Sequence, residues 1–512
     1  MKWRQSVAFL IVATASTLVG TGNLCAQGVL GNSFQNWNFL GGGARARGMG
    51  GAYIGVSDDA YAGSWNPAGL VYNEGVLMAL NYSFSHYKLG LDNAPLGQAF
   101  HPDSRDAGFS NLGAGSFVAP LKIMEQEFVL SAFYNRIQDV YSAGTFTADI
   151  DPKLGAPFTA SYEMKGNVAI VGGSFGTAIT HRLTLGGTLG LITGSGAESH
   201  IIDLDSTRDT ASFSELTKWT DRSNLHYHGL TATFGAMYKA GRWSAGAILS
   251  PGFELTQNLD FRAVRSSIHD QIPYFSPYLL GPLKGTDRKI EIPYTVGVGG
   301  SYHLTENVLV AADYQFRAFH DGTPLAKDST SSYRIQNEPR EPKSPIESQP
   351  VDWYSLHQVR LGAEYRHATS WGTVPLRLGV RNEPMLFGKD GRVNAVFEQR
   401  IANGVEADFP FFIPMNASAY GGSQVNGWTL SLGSGIQWSQ VRLDLAFEWT
   451  GYRYNETGSL SLLERCADCR SDDPSVQITP LWGKRKLYKW GDYSRDYNFD
   501  HLRILMNFTG NF

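Results

Sequence analysis

Long hydrophobic runs are the first thing this sequence lacks. Its one apolar run of helical character, residues 7–20, is too short to cross a bilayer core of about 30 Å. A mean hydropathy of −0.21 likewise excludes a multi-helix membrane protein. Cysteine is scarce, with three in 512 residues. Charge is thin and unclustered: the formal net charge is −4 and no basic run exists, which argues against a nucleic-acid partner. Phosphate loops are missing too. The glycine-rich stretch 41–51 has no Lys-Ser/Thr ending, and Gly297-Val298-Gly299-Gly300 lies within a strand pattern and opens no helix.

The short apolar run has a different use. It follows Lys2 and Arg4 and precedes Leu24-Cys25-Ala26, so residues 1–26 are expected to form a secretory signal peptide cut after Ala26. Leu24 serves a lipoprotein site at Cys25 poorly. Loss of Lys2 and Arg4 with the leader takes the charge from −4 to −6. Cys466 and Cys469 then remain. In an exported chain a Cys-x-x-Cys pair is a possible disulfide, and alone it is at most half a zinc site. No βαβ pattern surrounds it to suggest a redox motif.

What is present is a rhythm. From about residue 75 onward, apolar and polar residues alternate in stretches, and the last one is typical. Leu502, Ile504, Met506, Phe508 and Phe512 share one parity, while Arg503, Asn507, Thr509 and Asn511 take the other. Period two puts these sets on opposite faces of a strand. Fourteen such stretches are expected, near 76–85, 111–120, 126–139, 166–179, 182–195, 227–240, 243–257, 289–303, 307–318, 354–367, 373–382, 425–438, 441–452 and 499–512. Connections alternate between tight (121–126, 180–181, 241–242, 304–307, 368–372, 439–440) and long (90–110, 140–165, 196–226, 258–288, 319–353, 383–424, 453–498). An even number of such strands with alternating turn lengths describes an all-β fold, a transmembrane antiparallel β-barrel with short periplasmic turns and long outer loops. Both termini are then periplasmic in a Gram-negative-type outer membrane, and the cysteine pair falls in the last outer loop. Asp313, Gln315 and Arg317 oppose Val308, Val310, Ala312, Tyr314 and Phe316; Arg442, Asp444 and Glu448 oppose Val441, Leu443, Leu445 and Phe447. A lipid-facing Arg or Lys at mid-membrane costs about 2–4 kcal/mol, so the charged parity is expected to point inward. Tyr82, Tyr134, Trp243, Trp428 and Trp438 suit the interfacial girdles.

Residues 27–73 break the rhythm. They are rich in glycine and small residues and carry Asp58-Asp59-Ala60 and Asn66-Pro67-Ala68-Gly69. A barrel this wide leaves a lumen that its wall cannot fill, so this segment is expected to be a plug, with residues 74–512 forming the barrel. Asn66 and Pro67 would make a turn, and Ala68 would allow close approach to the wall. The plainer alternative is a structural turn leading into the first strand.

At this point the phrases resemble the FadL-type outer-membrane transporters of fatty acids and other hydrophobic compounds. Asp58-Asp59-Ala60 with Asn66-Pro67-Ala68 is similar to that family's hatch motif. Leu183-Thr184-Leu185-Gly186-Gly187, Ala247-Ile248-Leu249-Ser250-Pro251-Gly252-Phe253, Ile292-Pro293-Tyr294-Thr295-Val296-Gly297 and Val359-Arg360-Leu361-Gly362-Ala363-Glu364 follow in family order. Phe512 resembles the terminal signal read by the barrel assembly machinery. The resemblance implies passive passage of a hydrophobic small-molecule ligand into an apolar pocket and sideways into outer-membrane lipid, through a gap at a kink in the third strand. Here that strand, 126–139, contains no glycine or proline. A monomer without cofactor or metal is expected.

Arg360, Arg377, Arg381 and Arg442 are candidate lumen charges, either to meet a ligand carboxylate or to pair with Asp444, Glu364 and Asp313. Histidines 226 and 228 share a face but have no third ligand beside them. Two other classes of function stay open. Ala44-Arg45-Ala46-Arg47-Gly48-Met49-Gly50 is also similar to PorV-like barrels, which would make the chain an adaptor or shuttle in protein secretion. A barrel enzyme would need an acid–base pair at the rim, and no residues pick one out.

Overall fold

The structure is a computed structural model, and it describes residues 38–93, 101–102, 105–123, 126–148, 158–204, 216–268, 286–319, 327–329, 354–402, 405–415, 420–465, 476–479 and 483–512. The expected signal peptide, residues 27–37 of the expected plug, and Cys466 and Cys469 lie outside them.

Fourteen wall strands follow the alternating pattern. They are β1 (Leu77–Asn93), β2 (Arg105–Ile123), β3 (Gln126–Ala148), β4 (Phe158–Ala178), β5 (Leu183–Leu204) and β6 (Leu216–Ala240). β7 runs over Trp243–Ser250 and continues as Phe253–Ile268; β8 runs over Thr286–Ile292 and continues as Thr295–His303. The remainder are β9 (Val308–Arg317), β10 (Leu356–Thr369), β11 (Gly372–Ala402), β12 (Tyr420–Trp438), β13 (Val441–Arg465) and β14 (Gly483–Asn511). The breaks in β7 and β8 fall at Pro251 and Pro293, because proline offers no N–H to the ladder.

Each strand pairs antiparallel with the next, and β14 returns to β1 from Leu77↔Asn511 to Asn93↔Arg495, so the sheet closes. Closure leaves no lateral edge to attract another chain. The tight connections carry the turn residues expected of them: Gly241 has φ 60 and Ser439 φ 50.

The outward face is apolar. Leu189, Leu230, Phe234, Leu378, Leu430 and Leu432 are all exposed. Trp243, Trp371 and Trp438 ring the short-turn end, with Trp428, Tyr294 and Tyr314 further along. Trp438 and Trp428 are ten residues apart, about 33 Å of strand or about 25 Å of membrane depth at barrel tilt. That spacing matches an apolar transmembrane band. Among the described residues no helix is long and apolar enough to cross a membrane, so the strands make the crossing.

Several strands run beyond their expected ends. β3 reaches Ala148, β5 Leu204, β11 Ala402 and β13 Arg465, into stretches expected to be loops. Above the lipid both faces of a strand lose contact with the apolar band, so period two fades although the ladder continues.

Candidate functional site

Residues 38–73 lie inside the barrel, because they touch strands all around a closed wall. The segment is built from short turns: α1 (Ala44–Gly48), α2 (Ala62–Trp65) and a 3-10 turn over Pro67–Tyr72. Ser116 of β2 donates to the Ala60 carbonyl at 2.6 Å, and Asn135 of β3 to Leu40 O at 3.1 Å. Thr188 of β5 donates to Gly63 O at 2.8 Å. Asp313 of β9 accepts from the Tyr53 and Ile54 amides at 2.6 and 2.8 Å. Tyr61 donates its hydroxyl to Asn507 of β14 at 2.6 Å.

Asn66 holds the centre of this segment and is fully buried, at 0% exposure. Its Oδ1 accepts from the Ala68 amide at 3.2 Å, and its Nδ2 donates to Ile54 O at 2.9 Å and Ala236 O at 3.1 Å. One side chain therefore caps the following turn, ties it to the preceding loop and fastens both to β6. Pro67 starts the turn, where a missing N–H costs nothing. The wall makes room with glycine. A Cβ on Gly235 would lie 2.1 Å from Asn66 Oδ1, one on Gly186 2.4 Å from the Pro67 carbonyl carbon, and one on Gly246 2.2 Å from Ile54 O.

The opposite side of the segment is ionic. Arg45 donates to Glu364 of β10 at 2.9 and 3.1 Å, to the Tyr53 hydroxyl at 3.0 Å, and to Asp58. Arg47 meets Glu448 of β13 at 2.6 Å. The wall arginines complete the cluster: Arg377 pairs with Glu364 at 2.7 Å and Asp444 at 2.8 Å, and Arg381 with Glu383 and Glu448, both at 2.6 Å. Arg442 joins Asp444 at 2.7 Å. Removing one partner from such a buried set costs about 3–5 kcal/mol, since it strands a charge. Burial lowers the Arg47 guanidinium to about 10 despite Glu448 beside it.

The wall is interrupted on the other side. β2 and β3 pair from Ile123↔Gln126 only as far as Ala114↔Asn135. Beyond that level β2 stays paired with β1 and β3 with β4, but no pairs join Arg105–Gly113 to β3; pairing with β3 resumes above the gap at His101↔Thr147 and Pro102↔Phe146. Each strand carries a bulge at this level: Gly113 is the extra residue of β2 and Ile137 that of β3. A cavity of about 420 Å³ opens here, lined by Phe109, Ser110, Asn111, Arg136, Lys165 and Asn167 among others. Ile137 also packs against a buried apolar cluster that includes Val168, Ile192, Tyr227, Leu255, Phe319 and Leu386. Phe39, at the start of the inner segment, packs on the same cluster. An apolar lumen region thus adjoins a break in the wall.

No protein-family model and no curated protein matches the chain. Among solved structures it is similar to a Pseudomonas aeruginosa FadL homologue, at TM-score 0.55 and 14% identity, over 93% of this chain and 99% of that one. The Pseudomonas putida toluene transporter TodX aligns at TM-score 0.49 and 14% identity, over 93% and 100%. The Ralstonia pickettii toluene transporter TbuX aligns at 0.48 and 13%, over 93% and 99%. The fold is that of a FadL-type barrel.

On this FadL-type barrel the residues singled out in the sequence separate into groups. Asn66, Pro67 and Ala68 sit together against β5 and β6. Arg377, Arg381 and Arg442 are each engaged by carboxylates. Arg360 differs: its Nε meets Gln358 at 3.0 Å, its plane lies over Trp65, and Nη1 has no partner. Asp313, expected in the ion network, instead receives backbone amides of the inner segment. His226 and His228 face outward, away from the lumen.

Sequence reasoning passed over three features. The wall glycines were legible, since a glycine inside a strand pattern marks close backbone approach. The Ile137 bulge was not, because a bulge demands no particular residue. Arg317 was seen to face inward, but its isolation from acids depends on pairings across strands far apart in sequence.

Proposed function

We propose that this chain is an outer-membrane transporter of hydrophobic or amphipathic small molecules, with residues 38–73 acting as a hatch. Cargo enters the apolar cluster above the hatch by passive diffusion and leaves sideways between β2 and β3 into the outer-membrane lipid. The observation that carries this reading is the meeting of two features at Ile137: the bulge beside the unpaired stretch of wall, and the apolar cluster behind it. A downward route is blocked by the buried segment and its ion pairs. Lateral release suits apolar cargo, which gains by entering lipid and loses by entering water. The solved relatives described as a FadL homologue and as toluene transporters fit the same cargo class. In this reading both termini are periplasmic, and no chemistry is performed on the cargo.

Uptake by outer-membrane-containing cells with and without the gene tests it, using labelled dodecanoate and labelled toluene. The gene is expected to raise the uptake of at least one. Equal uptake of both, with and without a folded barrel in the membrane, rejects transport.

A further inference from the structure

The short-turn end of the barrel carries its charge unevenly. Backbone bonds join its turns into one edge from β4 to β11: Lys239 N donates to Arg182 O at 2.9 Å, His303 N to Arg242 O at 2.8 Å, and Arg366 N to Asn307 O at 2.8 Å. Arg182, Lys239, Arg242 and Arg366 lie along this edge with His181 and His303, and Glu306 is the one carboxylate in these turns. Lys239 covers the Tyr72 ring at 3.3 Å, and Arg366 Nε lies 3.3 Å from Glu364. Asp58, the inner-segment acid that acts on Lys239, is already paired with Arg45. The guanidinium groups of Arg182 and Arg242 are exposed and meet no carboxylate among the described residues. The rest of this end is different. Glu74 precedes β1, Lys122 of β2 is matched across the strand by Glu127 of β3, and Ser439-Gln440 between β12 and β13 is uncharged.

The two unpaired arginines sit where lipid meets water. Ile179 precedes Arg182 in its turn, Leu304 lies in the turn beside Arg242, and both are more than half exposed, at 54% and 52%. Trp243 follows Arg242 directly and lies 5.4 Å from the Tyr238 ring; Tyr302 and Trp371 are exposed further along the same edge. Apolar turn residues beside an aromatic girdle place this edge in the head-group region of a bilayer. Arginine there offers a planar donor fork that matches phosphate. An acidic protein segment would satisfy the charge but leave Ile179, Leu304 and Trp371 in water, whereas a lipid satisfies both.

We infer that the β4–β11 half of the short-turn rim is a docking surface for anionic phospholipid, with Arg182 and Arg242 on the phosphate groups and Ile179, Leu304 and Trp371 on the glycerol and acyl boundary. This goes beyond the transport reading and needs only that the strands cross a bilayer. It also makes the lipid around the barrel uneven. Anionic head groups gather along β4–β11 and not under the break between β2 and β3, where Glu127 offsets Lys122.

Native mass spectrometry of the full mature barrel tests this, by titrating it with dioleoyl phosphatidylglycerol and dioleoyl phosphatidylcholine and following the first lipid bound. The proteins compared are wild type, Arg182→Gln/Arg242→Gln and, from the other half of the rim, Lys122→Gln. Heat-modifiable mobility on a gel verifies that each is a folded barrel. Wild type is expected to bind phosphatidylglycerol at least about fivefold more tightly than phosphatidylcholine at low salt, from the attraction of surface arginines to anionic lipid. The double variant should bring the two lipids within about twofold of each other, while Lys122→Gln keeps the wild-type ratio. Equal binding of the two lipids by wild type, a preference that survives the double variant, or one lost equally in Lys122→Gln overturns the inference. Poly-glutamate is titrated alongside. Its retention by wild type and loss from the double variant, with the two lipids bound equally, would assign the surface to an acidic protein and also overturn it. Each of these failures leaves the transport reading standing.

Discussion

Asn66 shows how much one polar side chain carries when no water can replace it. Removing its amide takes the side-chain donor from the buried Ile54 carbonyl, at about 1–3 kcal/mol for a buried group left unpaired, and cuts the tie to Ala236 of β6. Asn66→Ala is therefore expected to loosen the hatch, read as faster swelling of proteoliposomes in small sugars with the barrel itself still folded. Swelling equal to wild type would mean the segment seals without this residue. Asp58 and Asp59 are adjacent but respond oppositely. Burial would raise the Asp58 carboxyl, but Arg45 and then Lys239 outweigh it and hold it below the ordinary value; burial raises Asp59. A carboxylate held below its unfolded value contributes stability at neutral pH and loses it as pH falls through the depressed value. Acid below about pH 4 should thus weaken the Arg45–Asp58 contact and increase conductance in planar bilayers. Asp58→Asn should show that higher conductance already at pH 7 and respond little to acid. An identical acid response in the variant would assign it elsewhere.

At the scale of elements, the inner segment is held unequally. Toward β10 and β13 it is fixed by Arg45 and Arg47 in a buried ionic cluster, and toward β2–β7 by neutral hydrogen bonds and glycine-backed contacts, with the Lys239 ammonium over the Tyr72 ring as a charged contact there. Neutral bonds at about 0.5–1.5 kcal/mol each are the more easily exchanged. Motion that admits cargo is therefore expected on the β2–β7 side, with the ionic side as pivot. Cysteines replacing Gly63 and Ser174, whose facing atoms are in contact, should slow dodecanoate uptake when oxidised and restore it on reduction. Unchanged uptake in the oxidised state would argue for a static hatch. The same contrast explains what could be read from sequence. Strand number and inward parity were legible, because lipid on one side and charge on the other enforce period two through Leu443, Leu445 and Phe447 against Arg442, Asp444 and Glu448. The upper reaches of β11 and β13 were not, because that constraint ends above the membrane. Turns as short as α1 and α2 span about one helical period, too few residues to display an apolar stripe.

For the whole molecule, the closed sheet, the polar floor and the apolar cluster give a lumen with one weak side. The expected kink in the third strand lacked a glycine or proline, yet the ladder breaks there through bulges on both neighbours, Gly113 and Ile137. The Asn66-Pro67-Ala68 phrase was readable as a turn against the wall; the carboxylate partners that occupy Arg377, Arg381 and Arg442 emerge only when distant strands meet. Lateral transport requires that cargo cross the wall between β2 and β3. Asn111 and Arg136 border the cavity at that break from the two strands. The direct measurement is dodecanoate uptake by Asn111→Cys/Arg136→Cys barrels, in a Cys466→Ser/Cys469→Ser background, before and after a short reducible cross-linker joins the two thiols. Cross-linking is expected to reduce uptake to the level of cells lacking the gene, and reduction to restore it. Full uptake through the cross-linked barrel would contradict a lateral route.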